Sequence, residues 1–252
     1  VNVLSLFSGI GGLELGLERA GMTVVGQVEI DPYCQQVLAQ HWPEVPRHDD
    51  VRTAVDWWQS QSRPPVDLVA GGFPCQPVSV AGKGLGTDDE RWLWPAMFDV
   101  IDALRPEWVL WENVPGLRTR GLDVVHADLV RVGYHHRVGR ISACEVGAPH
   151  PRARLLGVAH APCFRWRTWR ARRSAGETAH WQYQSPQGVG HQHDAAAHWA
   201  GEPRVDRLVD GIPRELVERH LRALGNAVVP QVAERVGRLI TTAAADRKEA
   251  AA

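Results

Sequence analysis

The chain has 252 residues, 44% hydrophobic and 23% charged, enough to bury a sizeable core as one α/β unit carrying a small appended lobe. No run approaches the roughly 18 consecutive apolar residues of a membrane span, and the opening VNVLSLF lacks a secretory leader's basic flank and cleavage site, so a cytoplasmic protein away from membranes is expected. The formal net charge of −1 excludes no nucleic-acid partner, because binding needs a local basic face and not a basic total. Cys34, Cys75, Cys144 and Cys163 form no CxxC pair, which predicts free thiols in a reducing compartment. The chain opens on Val1 and not on Met, so a short segment is expected to precede it.

In chain order, VNVLSLF reads as a strand, GGLELGLERAG as a helix, TVVGQVE as a strand and DPYCQQVLAQHW as a helix. A third strand candidate ends before Asp49, VDLVAGG is the fourth, WPAMFDVIDALR a helix and EWVLWEN the fifth strand. A helix near 122–132 and two further strands, near 134–142 and 153–159, follow. Strand and helix in repeated alternation predict a doubly wound, Rossmann-like α/β fold with a parallel sheet wrapped by helices. The periodicity covers 1–159 and stops at 160–205, a stretch rich in Arg, His, Gln, Gly and Trp that reads as a small irregular lobe. Across 206–252 a helical pattern returns in ERHLRALGNAVVPQVAERVGRLI, and the Ala-rich tail after Ile240 is expected to fray.

FSGIGG, residues 7–12, sits where the first strand turns into the first helix, and its glycines let backbone N–H groups approach a ligand closely. A dinucleotide fingerprint would place a third glycine at position 14, where Glu14 stands, an acid unwelcoming to a pyrophosphate. Glu29 closes the second strand, the place from which a carboxylate accepts both hydroxyls of a ribose. The pair fits a phosphate-free nucleoside, and a tight turn beside a solvated acid would produce the same letters. Asp49 and Asp50 follow the third strand, where a carboxylate can take an adenine amino group or simply cap a polar turn.

GGFPCQPVS frames Cys75 between Pro74 and Pro77 just beyond strand four. In a doubly wound sheet the first and fourth strands are neighbours, so the loops after both open into one crevice. Cys75 is therefore expected to face the nucleoside, with the prolines restricting its loop and nearby N–H groups favouring thiolate. A small buried hydrophobe is the competing reading of a lone cysteine. EWVLWENV places Glu112 and Asn113 at the end of strand five, where burial can keep the carboxyl partly protonated for use as a general acid.

FSGIGG, GGFPCQPVS, ENV and GNAVVP, in this order and spacing, resemble the cytosine carbon-5 DNA methyltransferase family, with RVDRLVDGIPRE in place of a proline-rich motif as in its short phage branch. The resemblance implies S-adenosylmethionine as methyl donor, S-adenosylhomocysteine as product and double-stranded DNA as substrate. It also implies a monomer, one that a cognate restriction endonuclease can accompany. It gives Cys75 attack on carbon-6 of a flipped cytosine and Glu112 the contact to nitrogen-3. Phe7, Gly9, Gly11, Gly12, Glu29, Ile30, Asp50, Val51 and Pro74 would meet the cofactor, with Asn226, Ala227 and Val228 closing its pocket. Gln76 and Ser79 would meet DNA. In GAPHPRAR the family's glutamine is replaced by His150, while Arg152 and Arg154 keep its two arginines and their catalytic contacts to the target base.

The 160–205 stretch occupies the place of the family's target recognition region. Arg165, Arg167, Arg170, Arg172 and Arg173, interleaved with Trp166 and Trp169, suit phosphates and bases, or a solvated loop with buried tryptophans. The spacing of Cys163, His180, His191, His193 and His198 matches no standard zinc site, so no metal is expected. Two other functions fit the same motifs: a tRNA cytosine methyltransferase and an inactive DNA-binding relative.

Overall fold

The structure, a computed structural model, describes residues 1–77, 87, 89–161 and 214–251. Its centre is a seven-stranded sheet of order β3-β2-β1-β4-β5-β7-β6. The strands are β1 (Asn2–Leu6), β2 (Thr23–Val28), β3 (Arg47–His48), β4 (Leu68–Gly71), β5 (Trp108–Asn113), β6 (His135–Ser142) and β7 (Ala153–His160). The helices are α1 (Gly12–Arg19), α2 (Pro32–His41), α3 (Ala54–Gln59), α4 (Trp94–Leu104), α5 (Leu122–Arg131), α6 (Arg214–Asn226) and α7 (Pro230–Ala251). Strand order reverses between β1 and β4, which pair in parallel from Val3 opposite Leu68 to Leu6 opposite Gly71. A doubly wound sheet places its ligand crevice at that reversal.

The last two strands depart from the all-parallel expectation. β7 runs antiparallel to both β5 and β6 and lies between them. The link from β6 to β7, residues 143–152, is too short for the crossover that a parallel pair requires. It folds into a 3₁₀ turn closed by a capping box of Ser142 and Glu145.

Side chains alternate between two cores, as the period of a strand demands. Leu4, Leu6, Val69, Val109 and Trp111 face α3, α4 and α5, whereas Val3, Leu68, Ala70, Trp108 and Leu110 face α1 and α7. All six residues of β5 are buried, as in a central strand covered on both faces. α3, whose sequence AVDWWQ carries too few residues for a periodic signal, seats Trp58 under β1 and β2 against Gly26.

α7 packs along α1 closely enough to require glycine. A Cβ on Gly16 would lie 2.3 Å from the Pro230 carbonyl oxygen, and one on Gly12 2.2 Å from that of Val228. The tail expected to fray remains helical to Ala251. Alanine is the best helix former, Ala243 is buried against the sheet side of the helix, and Arg247 is ion-paired with Glu107 beyond it. Among the described residues, no helix is long and apolar enough to cross a membrane.

Candidate active site

A cavity of ≈ 310 Å³, within the range of small-molecule sites, opens at the carboxyl ends of β1, β2, β4 and β5. Its first wall is the turn after β1. Phe7 and Gly9 both take positive φ, 55° and 57°, the former an uncommon conformation for a side chain of that size. Glu29, at the end of β2, braces the turn. One of its carboxylate oxygens accepts the Gly9 N–H at 2.6 Å and the other accepts the Asp31 N–H at 2.8 Å. Each oxygen retains a lone pair for a further donor. Burial pushes the Glu29 carboxyl above its ordinary range, with the N–H groups of Asp31 and Gly9 pulling part of the way back.

The neighbouring loops add Ile30, 67% exposed, and Asp31, which caps α2 by accepting from the N–H groups of Tyr33 and Cys34. Asp50 caps the 3₁₀ turn at Val51, accepting the Arg52 N–H at 2.9 Å, and both residues border the cavity. Asn226, Ala227 and Val228, between α6 and α7, form the facing edge. Gly11 and Gly12 lie outside the cavity lining, and a Cβ on them would meet Trp42 and the Val228 carbonyl respectively.

Glu14 acts differently from the sequence expectation. It is fully buried and outside the cavity wall, so its charge does not face a ligand at all. Ser5 and Ser8 lie near enough to favour ionisation slightly, yet neither carboxylate oxygen has a hydrogen-bond partner, and burial drives its pKa up. The case against a polyphosphate rests instead on Glu29, Asp31, Asp49 and Asp50, four carboxylates around the same opening. Those hydrogen-bond acceptors and the apolar Ile30 fit a nucleoside with hydroxyl and amino groups and a cationic centre, as S-adenosylmethionine has.

The second wall carries the reactive groups. Pro74, Cys75 and Gln76 follow β4, and Cys75 is half-buried on the cavity surface. Asn113, at the end of β5, donates from Nδ2 to the Phe73 carbonyl at 3.0 Å and so fixes the start of the cysteine loop. Glu112, 8% exposed, receives the Nε–H of Arg154 on its Oε1 at 2.8 Å. Gly72 leaves room for its other oxygen, since a Cβ there would lie 3.1 Å from Glu112 Oε2. Burial raises the Glu112 pKa, and Arg154 and then Arg152 offset it only in part.

The thiol is not the ready thiolate that the loop's frame suggests. Burial raises the Cys75 pKa, the Glu112 charge adds to the rise, and Arg154 and Arg152 counter it less strongly. Cys34 lines the same cavity but is pushed up to about 12 by burial and then by Glu29 and Asp31. Among the described residues no cation is a cause opposing that shift, whereas Arg154 and Arg152 oppose the rise at Cys75.

Arg152 is placed elsewhere than the target pocket's surface. Its Nη2 donates to the carbonyls of Gly225 and Ala227, both at 2.7 Å, from a backbone with φ of 24°. Arg152 and His150 border a neighbouring cavity of ≈ 700 Å³, which holds neither thiol nor carboxylate among its described lining residues. Its size gives it no chemistry. Ser79, Arg165, Arg167, Arg170, Arg172 and Arg173 lie outside the described residues. Among the described residues no group of three or more potential metal ligands assembles. Two residues that motif reading did not reach, Arg219 and Arg222 of α6, also border the smaller cavity; only their spacing in ERHLRAL hinted at a shared face.

Sheet order and site together define the Rossmann-like methyltransferase class. Residues 1–191 match the family described as C-5 cytosine-specific DNA methylase, and the chain belongs to that family. It is 37% identical over 168 residues to the Type II methyltransferase M2.BsuMI of Bacillus subtilis, covering 63% of this chain and 42% of that one. It is 33% identical over 171 residues to M.NgoMIV of Neisseria gonorrhoeae, covering 65% and 54%. The chain spans about half the length of the curated relatives it matches. Among solved structures, a DNA modification methyltransferase encoded within an E. coli prophage superposes with a TM-score of 0.54 at 30% identity, covering 64% of this chain and 47% of that one. The S. pombe Dnmt2 methyltransferase shares the fold, with a TM-score of 0.53 at 23% identity over 64% of this chain and 50% of its own.

Proposed function

We propose that this protein transfers a methyl group from S-adenosylmethionine to carbon-5 of cytosine in DNA. The observation that carries this reading is the single cavity in which a glycine turn braced by Glu29 meets Cys75, Glu112 and Arg154. Carbon-5 of cytosine is a poor nucleophile until the ring's aromaticity is interrupted. Cys75, its thiol proton released to solvent, forms a bond from Sγ to carbon-6 while Glu112 hydrogen-bonds or protonates nitrogen-3, so the ring's electron density moves to carbon-5. When bound, S-adenosylmethionine supplies an electrophilic methyl group on a sulfonium. Loss of the carbon-5 proton to water, expulsion of the sulfur as thiolate and return of the nitrogen-3 proton to Glu112 then restore the ring and Cys75.

The raised pKa values suit this sequence. Burial shifts both the Glu112 carboxyl and the Cys75 thiol towards their neutral forms, and Arg154 and Arg152 oppose each shift. Arg154 holds the Glu112 carboxyl in place through its Nε–H. The target base cannot reach Cys75 while stacked, so the reaction requires it to leave the duplex, at a cost of a few kcal/mol.

Incubation with methyl-labelled S-adenosylmethionine and, separately, GC-rich genomic DNA and tRNA tests the proposal. Label on DNA at carbon-5 is the expected result; label on tRNA alone, or on neither, refutes it.

A further inference from the structure

We propose that Arg219 and Arg222 form a phosphate clamp at the mouth of the cavity, gripping the DNA backbone beside the extruded cytosine. This rests on the methyl-transfer reading above and adds to it the groups that hold the substrate strand. The two residues are three apart on α6 and therefore share one face of the helix. Both are exposed, both border the cavity with Cys75 and Glu112, and neither has an ion-pair or hydrogen-bond partner among the described residues. Arg52, Arg91, Arg105, Arg131, Arg154 and Arg238, by contrast, are each paired with a carboxylate.

Charge around the opening is segregated by the sheet order. The acids follow β2 and β3, whereas Arg154 begins β7, which is separated from β2 by β1, β4 and β5. Arg152, two residues before Arg154, hydrogen-bonds the Gly225 and Ala227 carbonyls at the end of α6, which ties that helix to the arginine side of the opening. A nucleotide turned into a pocket leaves its sugar–phosphate chain outside, so its flanking phosphates come to rest at the rim. Forked guanidinium donors there match phosphate oxygens in geometry and charge. A carboxylate of the cofactor is the competing anion, and it would make the same arginines cofactor ligands.

The two are separated by filter binding of a short duplex carrying a mismatched cytosine, titrated with NaCl, for the wild type and for Arg219→Gln/Arg222→Gln. Each lost duplex phosphate contact reduces the slope of log K against log salt by about 0.9, so the double variant is expected to lose about 1.8 and to bind about tenfold more weakly at 0.15 M salt. Calorimetric affinity for S-adenosylmethionine without DNA should stay within about twofold, and Arg219→Lys/Arg222→Lys should recover most of the slope because it keeps the charge. An unchanged slope, or a weakened cofactor affinity with the slope intact, overturns the clamp. If the wild type transfers no label to DNA while the slope difference persists, the methyl-transfer reading fails alone; label transfer without a slope difference removes the clamp alone.

Discussion

Glu112 bears on the Cys75 thiol through charge. Each carries a raised pKa, burial first among the causes, and the Glu112 carboxylate contributes to holding the thiol protonated. Glu112→Gln removes that negative charge while keeping the shape. The pH at which Cys75 is half-alkylated by iodoacetamide, read by mass spectrometry on its own peptide, should therefore move downward in the variant. Methyl transfer should nonetheless fall by at least about a hundredfold, because the amide cannot deliver a proton to nitrogen-3. An alkylation midpoint that stays in place would show that the two groups are not electrostatically coupled. Cys75→Ala should abolish transfer altogether and leave calorimetric affinity for S-adenosylmethionine within a fewfold, since Glu29, Ile30 and Asp50 line the opposite wall and keep their places; turnover retained in this variant would eliminate the covalent route.

Elements meet here through absent side chains. Gly16 of α1 touches the first turn of α7, and Gly16→Ala would set a methyl group 2.3 Å from the Pro230 carbonyl oxygen and 2.8 Å from the Glu234 nitrogen, both backbone atoms that cannot rotate away. The helices must separate, at a cost of about 1–3 kcal/mol, visible as a lowered thermal midpoint. Because Asn226, Ala227 and Val228 precede α7 directly, cofactor affinity should fall with it. Arg152 secures the same segment from the other side by its bonds to Gly225 and Ala227. Arg152→Ala is expected to weaken S-adenosylmethionine binding by about tenfold, the loss of charge-assisted hydrogen bonds, while Arg152→Lys recovers part of it; an unaltered affinity would place Arg152 outside the cofactor wall.

For the whole molecule, buried titratable groups set opposing limits on stability. His136, half-buried, accepts the Trp111 Nε1–H on its Nε2, and burial followed by neighbouring His126 lowers its pKa to about 4. His160 is lowered to about 4 as well, by burial first. A histidine whose folded pKa lies below its unfolded value stabilises the fold above the unfolded pKa, so its contribution is lost as pH falls from ~6.5 towards 4. Glu14 acts in the reverse sense. Its folded pKa is raised, so its contribution is complete below the unfolded value near 4.5 and disappears as pH rises through the folded one. Glu14→Gln should therefore raise the thermal midpoint at pH 8 by about 3 °C, the response of a domain of this size to ~1 kcal/mol, with the gain vanishing near pH 4. An equal gain at both pH values would mean that ionisation of Glu14 is not involved.

The alternation of apolar strands and amphipathic helices sufficed to specify the sheet's parallel part, because a strand's period and a helix's period are local properties of the chain. The ordered motifs, likewise local, named the cysteine loop, the glycine turn and the acid after β2. Three matters were decided only by folding. β7 entered between β5 and β6 in antiparallel sense because of the short link before it; Glu14, read as facing a ligand, turned inward; and Arg152, read as a base contact, reached carbonyls 73 and 75 residues away. Each depends on which distant atoms surround a side chain, as do the raised pKa values of Cys75 and Glu112 and the presence of Arg219 and Arg222 at the rim. Sequence spacing carries the identity of a reactive group, but burial and neighbouring charge, which set its protonation and its partners, exist only once the chain has closed around it.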